Sequence, residues 1–226
     1  MNYFVTGTDT GVGKTLVSAA LLRAFAARGA SVAGFKPVAA GCDSQGVNED
    51  VLALRAVSKP GLSSGQINPY GFVSPVAPHL AAQQACVEIS LATILESYRI
   101  LVAQVDRVIV EGVGGFMVPL NATQTTADLA RQLGLPVILV VGMRLGCLNH
   151  ALLTRQAIAD CGLKCAGWVA NVLQPEMLLL DENILALRER LAAPLLGVVP
   201  YQSAPDAGRV APELNLVLLE ERGSHD

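Results

Sequence analysis

Residues 7 to 15 read Gly7-Thr8-Asp9-Thr10-Gly11-Val12-Gly13-Lys14-Thr15, directly after the apolar run Tyr3-Phe4-Val5. A glycine-rich turn between a strand and a helix is a phosphate-binding loop, because Gly11 and Gly13 let backbone N–H groups turn inward around an anion. Lys14 can reach the β and γ oxygens of a triphosphate, and the Thr15 hydroxyl can ligate the magnesium that accompanies it. Residues 14–28 carry Leu16, Ala19, Ala20, Leu22 and Ala26 as the apolar positions of a helix. The positive end of that helix points at the same place. One position departs from the usual Gly-x4-Gly-Lys-Thr spacing: Thr8 stands where glycine is expected, and Gly7 comes one residue early. Strand, loop, Gly-Lys-Thr and helix together imply a nucleoside triphosphate as ligand.

Working outward, apolar β-rich runs recur at 3–6, 32–35, 107–111, 137–141, 166–170 and 196–199, with a last one near 214–219. Helical patterns lie between them at 14–28, about 49–57, about 90–104, about 125–133, 149–161 and 180–192. Strands separated by helices predict parallel βαβ units. The expected class is therefore α/β, a single-domain P-loop NTPase fold with a mostly parallel central sheet and helices on both faces. The expected domain spans 1–220, and 221–226 is expected as a frayed tail. Between Lys59 and Pro78, Pro60, Pro69 and Pro75 with several Gly and Ser predict a long surface excursion.

Composition agrees. The chain has 226 residues, 52% apolar and 15% charged, which suits a parallel sheet covered on both faces. A net charge of −3, no basic run and 4% aromatics argue against nucleic acid as the main partner. Arg23, Arg28, Asp106 and Arg107 interrupt every candidate for a membrane span. The chain runs straight into a strand, so no signal peptide and a cytoplasmic location are expected. Cys42, Cys86, Cys147, Cys161 and Cys165 show no zinc spacing and are expected to be buried, reduced thiols.

Ligands of an open parallel sheet sit outside the carboxyl ends of its strands, so the residues that end each strand matter most. The second strand ends in Lys36-Pro37, a cation placed to neutralise charge developing on a transferred phosphoryl group. The run at 107–110 ends in Glu111-Gly112-Val113-Gly114-Gly115, a carboxylate suited to magnesium followed by a loop that can pass close to a ligand. Asp50, after Asn48-Glu49, is either a metal ligand or an acidic residue at a helix N-terminus. The run at 167–170 ends in Asn171, and that at 196–199 in Pro200.

These residues carry a family likeness. Residues 3–10, Val12-Gly13-Lys14-Thr15, Gly34-Phe35-Lys36-Pro37, Asn68-Pro69-Tyr70, Pro78-His79, Glu111-Gly112, Leu145-Gly146-Cys147, Asn149-His150 and Trp168-Val169-Ala170-Asn171 occur in order along nearly the whole chain. In them the chain resembles the dethiobiotin synthetases, ATP-dependent enzymes that close the ureido ring in biotin synthesis. The resemblance implies that Gly11, Val12, Gly13, Lys14, Thr15 and Leu16 wrap the triphosphate, beside Gly112, Val113 and Gly114. It implies magnesium on Thr15, Asp50 and Glu111, and Lys14 and Lys36 as the catalytic cations. Asn171, with Val172 next to it, would read adenine, and Pro200, Tyr201 and Gln202 would line its pocket. Lys36, Ala40, Gly146, Cys147, Leu148 and Asn149 would meet 7,8-diaminononanoate and CO2, the segment 145–150 coming from the second subunit of a homodimer. No nucleic acid or membrane partner is implied.

Three positions depart from that family. Gly11 stands where an acidic residue is frequent, Ala40 where relatives have a hydroxyl, and Val172 where an aspartate often follows the asparagine. His79 and His150 are expected as solvated or hydrogen-bonded residues, not as bases. The alternative reading is a partner-switching regulatory ATPase of the same loop superfamily. Such proteins usually carry a lysine five residues before the loop lysine, where this chain has Asp9. An amidotransferase of the cobyrinate type would need a glutaminase domain, for which 226 residues leave no room.

Overall fold

A computed structural model describes residues 1–220, and the tail expected at 221–226 lies outside the described residues. In chain order the elements are β1 (Tyr3–Gly7), α1 (Lys14–Ala26), β2 (Val32–Phe35), β3 (Val38–Ala40), α2 (Glu49–Val57), α3 (Ser64–Ile67), β4 (Tyr70–Phe72) and α4 (Pro78–Gln84). There follow α5 (Leu91–Val102), β5 (Arg107–Glu111), α6 (Thr126–Leu133), β6 (Val137–Met143), α7 (Cys147–Asp160), β7 (Cys165–Val172), α8 (Leu180–Arg190) and β8 (Leu195–Val199). A short α9 (Ala207–Val210), a 3-10 turn (Ala211–Glu213) and α10 (Val217–Glu220) complete the described chain.

Six strands form one parallel sheet in the order β2-β5-β1-β6-β7-β8. The runs of Val, Ile and Leu that make β1, β5, β6 and β7 are buried along almost their whole length, as strands covered on both faces must be. One apolar layer joins Phe4, Val110, Leu139 and Trp168 to residues of α5, α6, α7 and α8. The other joins Val5, Ile138 and Val169 to α1, α9 and the segment 214–219. Register places the site: Val5 lies opposite Glu111, Phe35 opposite Val110, and Gly142 opposite Asn171. Gly7, Lys36, Glu111 and Asn171 thus emerge at one edge of the sheet.

Three expectations need correction. Residues 214–219 form no strand. Leu214, Leu216 and Leu219 are buried against the α1 side of the sheet, and Asn215 Oδ1 accepts from Val217 N to start the α10 turn. The alternating leucines were legible, but the Asn215 side chain bends the backbone away from a ladder. The excursion from Lys59 to Pro78 is also more structured than its prolines imply. It contains α3 and β4, and β4 pairs in parallel with β3 as a separate two-stranded sheet. Asn68 fastens that unit, its Nδ2 donating to Lys36 O at 2.7 Å and to Tyr70 O at 3.0 Å. The expectation of five buried thiols holds for Cys42, Cys147 and Cys165 and fails for Cys86, exposed in the turn after α4 with φ 54°, while Cys161 is half-buried.

Candidate active site

Between β1 and α1 the loop closes as its glycines require. Gly11 and Gly13 take positive φ, 72° and 89°. A side chain on Gly13 would overlap the carboxamide of Asn171, whose Nδ2 donates to Val12 O at 2.8 Å and braces the loop from β7. The early glycine is explained too. A Cβ on Gly7 would lie 2.5 Å from Val12 Cγ2 and 3.1 Å from Lys14 Cγ, so the loop can fold over this position only if it is bare. Thr8, freed from that constraint, donates its N–H to Val140 O at 3.0 Å and accepts from Gly142 N at 3.4 Å, tying the loop to β6.

Beside the loop four polar side chains converge. Thr15 Oγ1 lies 2.7 Å from Asp50 Oδ1 and 2.8 Å from Glu111 Oε1. Lys36 Nζ donates to Glu111 Oε1 at 2.5 Å, lies 3.0 Å from Asp50 Oδ2, and reaches Gly112 O at 3.3 Å. Lys36 and Glu111 are 3% and 0% exposed, so each charge needs the other. Burial alone would push Lys36 down, but the carboxylates of Glu111 and Asp50 outweigh it and hold its ammonium above the ordinary lysine value. Burial opposes ionisation of Asp50 as well, and Lys36 together with the Thr15 hydroxyl holds its carboxyl below the usual range. The structure therefore assigns Asp50 to the ionic cluster and not to a helix terminus alone.

Lys14 is buried and donates to Asp9 O at 3.0 Å. Burial, reinforced by the charge of Lys36, lowers its pKa to about 8. A triphosphate must bind the ammonium form, so binding should draw in a proton when the loop lysine is neutral. Affinity is expected to be level below about pH 8 and then to fall, approaching tenfold per pH unit while the free protein is deprotonated and the complex is not. Nucleotide titrations by calorimetry between pH 7 and 9.5 check this; constant affinity across that range contradicts it.

Two carboxylates and a hydroxyl suit magnesium, which takes few protein ligands and keeps water and phosphate oxygens for the rest. Glu111 Oε2 supports the fit: it is buried and without a hydrogen-bond partner. No group of three or more His, Cys, Asp or Glu able to hold a metal ion occurs among the described residues.

An open cavity of about 1200 Å³ lies over this cluster. Gly11, Gly13, Lys14, Thr15 and Leu16 line it from the loop, with Lys36, Ala40, Asp50, Val113 and Gly114 opposite. Val12, Glu111 and Gly112 stand behind that lining. Asn171, Val172, Pro200, Tyr201 and Gln202 do not line it; Pro205 and Ala207, beyond β8, do. Gly146, Cys147, Leu148 and Asn149 also lie outside it, at the start of α7, with Gly146 at φ 93°.

Sequence reading missed Asn48, which caps α2, and Arg144, whose Nη2 is 2.5 Å from Asp9 Oδ2. Only Asn48 had a readable signal, its place directly before Glu49-Asp50 at a helix start. His79 is half-buried, and its Nδ1 is buried without a partner. No helix among the described residues is long and apolar enough to cross a membrane.

Comparison with known proteins places the chain in a family. A family model described as an AAA domain matches residues 1–208. Solved structures of like fold include the cell division ATPase MinD of Pyrococcus furiosus, with a TM-score of 0.58 and 17% identity, covering 100% of this chain and 99% of that one. Another is a ParA family ATPase from Chlorobium tepidum, with a TM-score of 0.55 and 9% identity over 99% and 98% of the two chains. At such identities the likeness shows the fold alone. Sequence relatives are far nearer. The ATP-dependent dethiobiotin synthetase BioD of Nitrosospira multiformis is 55% identical over 205 residues, 91% of this chain and 90% of its own. That of Aromatoleum aromaticum is 56% identical over 219 residues, 95% and 96% of the two chains. That of Xanthomonas oryzae pv. oryzae is 51% identical over 217 residues, 95% and 97%. With half its residues shared along nearly its full length, the chain belongs to the ATP-dependent dethiobiotin synthetase family.

Proposed function

We propose that this protein joins CO2 to 7,8-diaminononanoate and closes the ring to dethiobiotin, converting ATP to ADP and phosphate, in biotin biosynthesis. Residues 1–220 serve as one cytoplasmic synthetase domain. The observation that carries the reading is the meeting of Lys36, Thr15, Asp50 and Glu111 beside the loop that carries Lys14, under one cavity. One amine of the diamine adds to CO2 and loses a proton, giving a carbamate. A carbamate oxygen attacks the γ-phosphorus and ADP leaves. The second amine attacks the carbonyl carbon of the mixed anhydride, loses its proton and expels phosphate. No step needs a protein nucleophile. The loop N–H groups and Lys14 hold the triphosphate in line, and Lys36 neutralises charge on the carbamate and the moving phosphoryl group. Magnesium on Thr15, Asp50 and Glu111 would supply charge neutralisation at the phosphate oxygens.

The regulatory-ATPase alternative shares the fold, but position 9 is an aspartate engaged with Arg144. Product analysis after incubation with the diamine, bicarbonate, magnesium and ATP separates the two: a cyclic urea is expected, and phosphate release without one would favour the switch.

Base reading is expected to be loose. Asn171 spends its amino group on Val12 O, and the Val172 side chain has no polar atom to offer a base. GTP and CTP should support measurable turnover beside ATP; a preference for ATP beyond about 10⁴-fold, as a polar-reading site gives, contradicts this.

The working unit in this reading is a homodimer. Leu145 is 99% exposed, and Leu153, Leu178, Leu179 and Leu185 are exposed on α7 and on or just before α8, which packs against α7. Such a face is apolar enough to want a partner. The α7 N-terminus and Asn149 of one chain would receive the substrate carboxylate, while Lys36 of the other meets the amines. Mixing Lys36→Ala with Asn149→Ala under subunit exchange is expected to restore one site per heterodimer, about half its normal activity. No recovery despite proven exchange contradicts the shared site.

A further inference from the structure

Eight residues, 41–48, join β3 to α2, and one side chain pins both ends of that loop. Asn48 is 8% exposed, at φ −112° and ψ 136°, immediately before the first turn of α2. Its Oδ1 accepts from Asp50 N at 3.0 Å and from Val51 N at 3.4 Å. Its Nδ2 donates back across the loop to Ala40 O at 3.1 Å. Ala40 and Asp50 both line the cavity, and Asp50 also touches Thr15 and Lys36. A serine or aspartate would cap α2 equally well. Only a carboxamide both caps the helix and donates to a carbonyl across the loop.

We infer that Asn48 is a positioning residue that sets where the Asp50 carboxylate stands relative to Ala40 and the end of β3, and with it the magnesium requirement of nucleotide binding. This rests on the proposed roles of Asp50 and Ala40. Asp50 has its side chain partly exposed, and among the described residues only Thr15 and Lys36 hold its carboxylate by side-chain contact. Its backbone is therefore what the rest of the protein can fix. Without the bridge, α2 keeps its cap while its first turn is no longer referenced to β3.

The test separates cap from bridge. Asn48→Ser keeps an acceptor for the α2 N–H groups but is too short to reach Ala40. Asn48→Asp keeps size and both cap bonds but sets an oxygen against the Ala40 carbonyl. Both should unfold close to the parent temperature. In both, the magnesium concentration needed for half-maximal binding of ADP, read by calorimetry, should rise on the order of tenfold, with a comparable fall in turnover, as when partners behind a metal ligand are removed. If either variant folds and keeps the parental magnesium requirement and turnover, Asn48 is a helix cap only. If Asn48→Ser does not fold, Asn48→Asp decides. Should the parent protein make no cyclic urea, the proposed reaction fails, and the ADP titration still decides the role of Asn48.

Discussion

Lys36→Ala is expected to cut turnover by on the order of 100-fold or more, the usual loss when one preorganised cation is removed from a phosphoryl-transfer site. The same change should be visible without substrate. Glu111 is wholly buried, and Lys36 is its cationic partner at 2.5 Å. Breaking a buried pair by removing one member costs ~3–5 kcal/mol, because the remaining charge stays out of water. In a chain of this size that corresponds to a fall of roughly 10 °C in the unfolding midpoint. Adding Glu111→Gln to Lys36→Ala should recover much of the midpoint and none of the rate. Recovery of both, or near-normal turnover of Lys36→Ala, would remove Lys36 from the chemistry.

Gly13→Ala should be nearly as damaging by a different route. An L side chain at φ 89° costs ~1–2 kcal/mol, and the new methyl would displace the Asn171 carboxamide from Val12 O. The loop N–H groups then lose their common focus. Since misplacement by about 1 Å can cost 100-fold, triphosphate affinity should drop by at least that much. Pairing Gly13→Ala with Asn171→Ala relieves the overlap but not the backbone, so stability should return in part while nucleotide binding does not. Full return of binding in the double variant would mean that crowding, not conformation, is the obstacle.

The sheet was legible because each strand is a buried run of Val, Ile and Leu, a local signal independent of what the strand pairs with. All six runs of the large sheet were readable, and so were Lys36, Glu111 and Asn171, since they stand where those runs stop. β3 and β4 were not, because three-residue strands have no period, and their pairing depends on Asn68 reaching back to Lys36 O. Asp50 stayed ambiguous for a related reason: an acidic residue in a first helical turn looks the same whether or not Thr15 and Lys36 stand within reach of its carboxylate. The leucines at 214, 216 and 219 misled because alternation records burial on one face and does not reveal the turn at Asn215.

The position of β1 in the middle of the sheet has a consequence for how the protein is made. Both of its neighbours, β5 and β6, lie more than a hundred residues later in the chain. At synthesis rates of ~5–20 residues per second, the phosphate loop leaves the ribosome on the order of ten seconds before β6 does. Until β5 emerges it hangs from a strand with neither flank paired, one flank stays open until β6 follows, and parallel pairings across so much chain are slow to close. The first-made part of the active site is thus the last to be completed. Substitutions in β6 that leave the finished enzyme untouched should therefore be felt in the yield of folded protein.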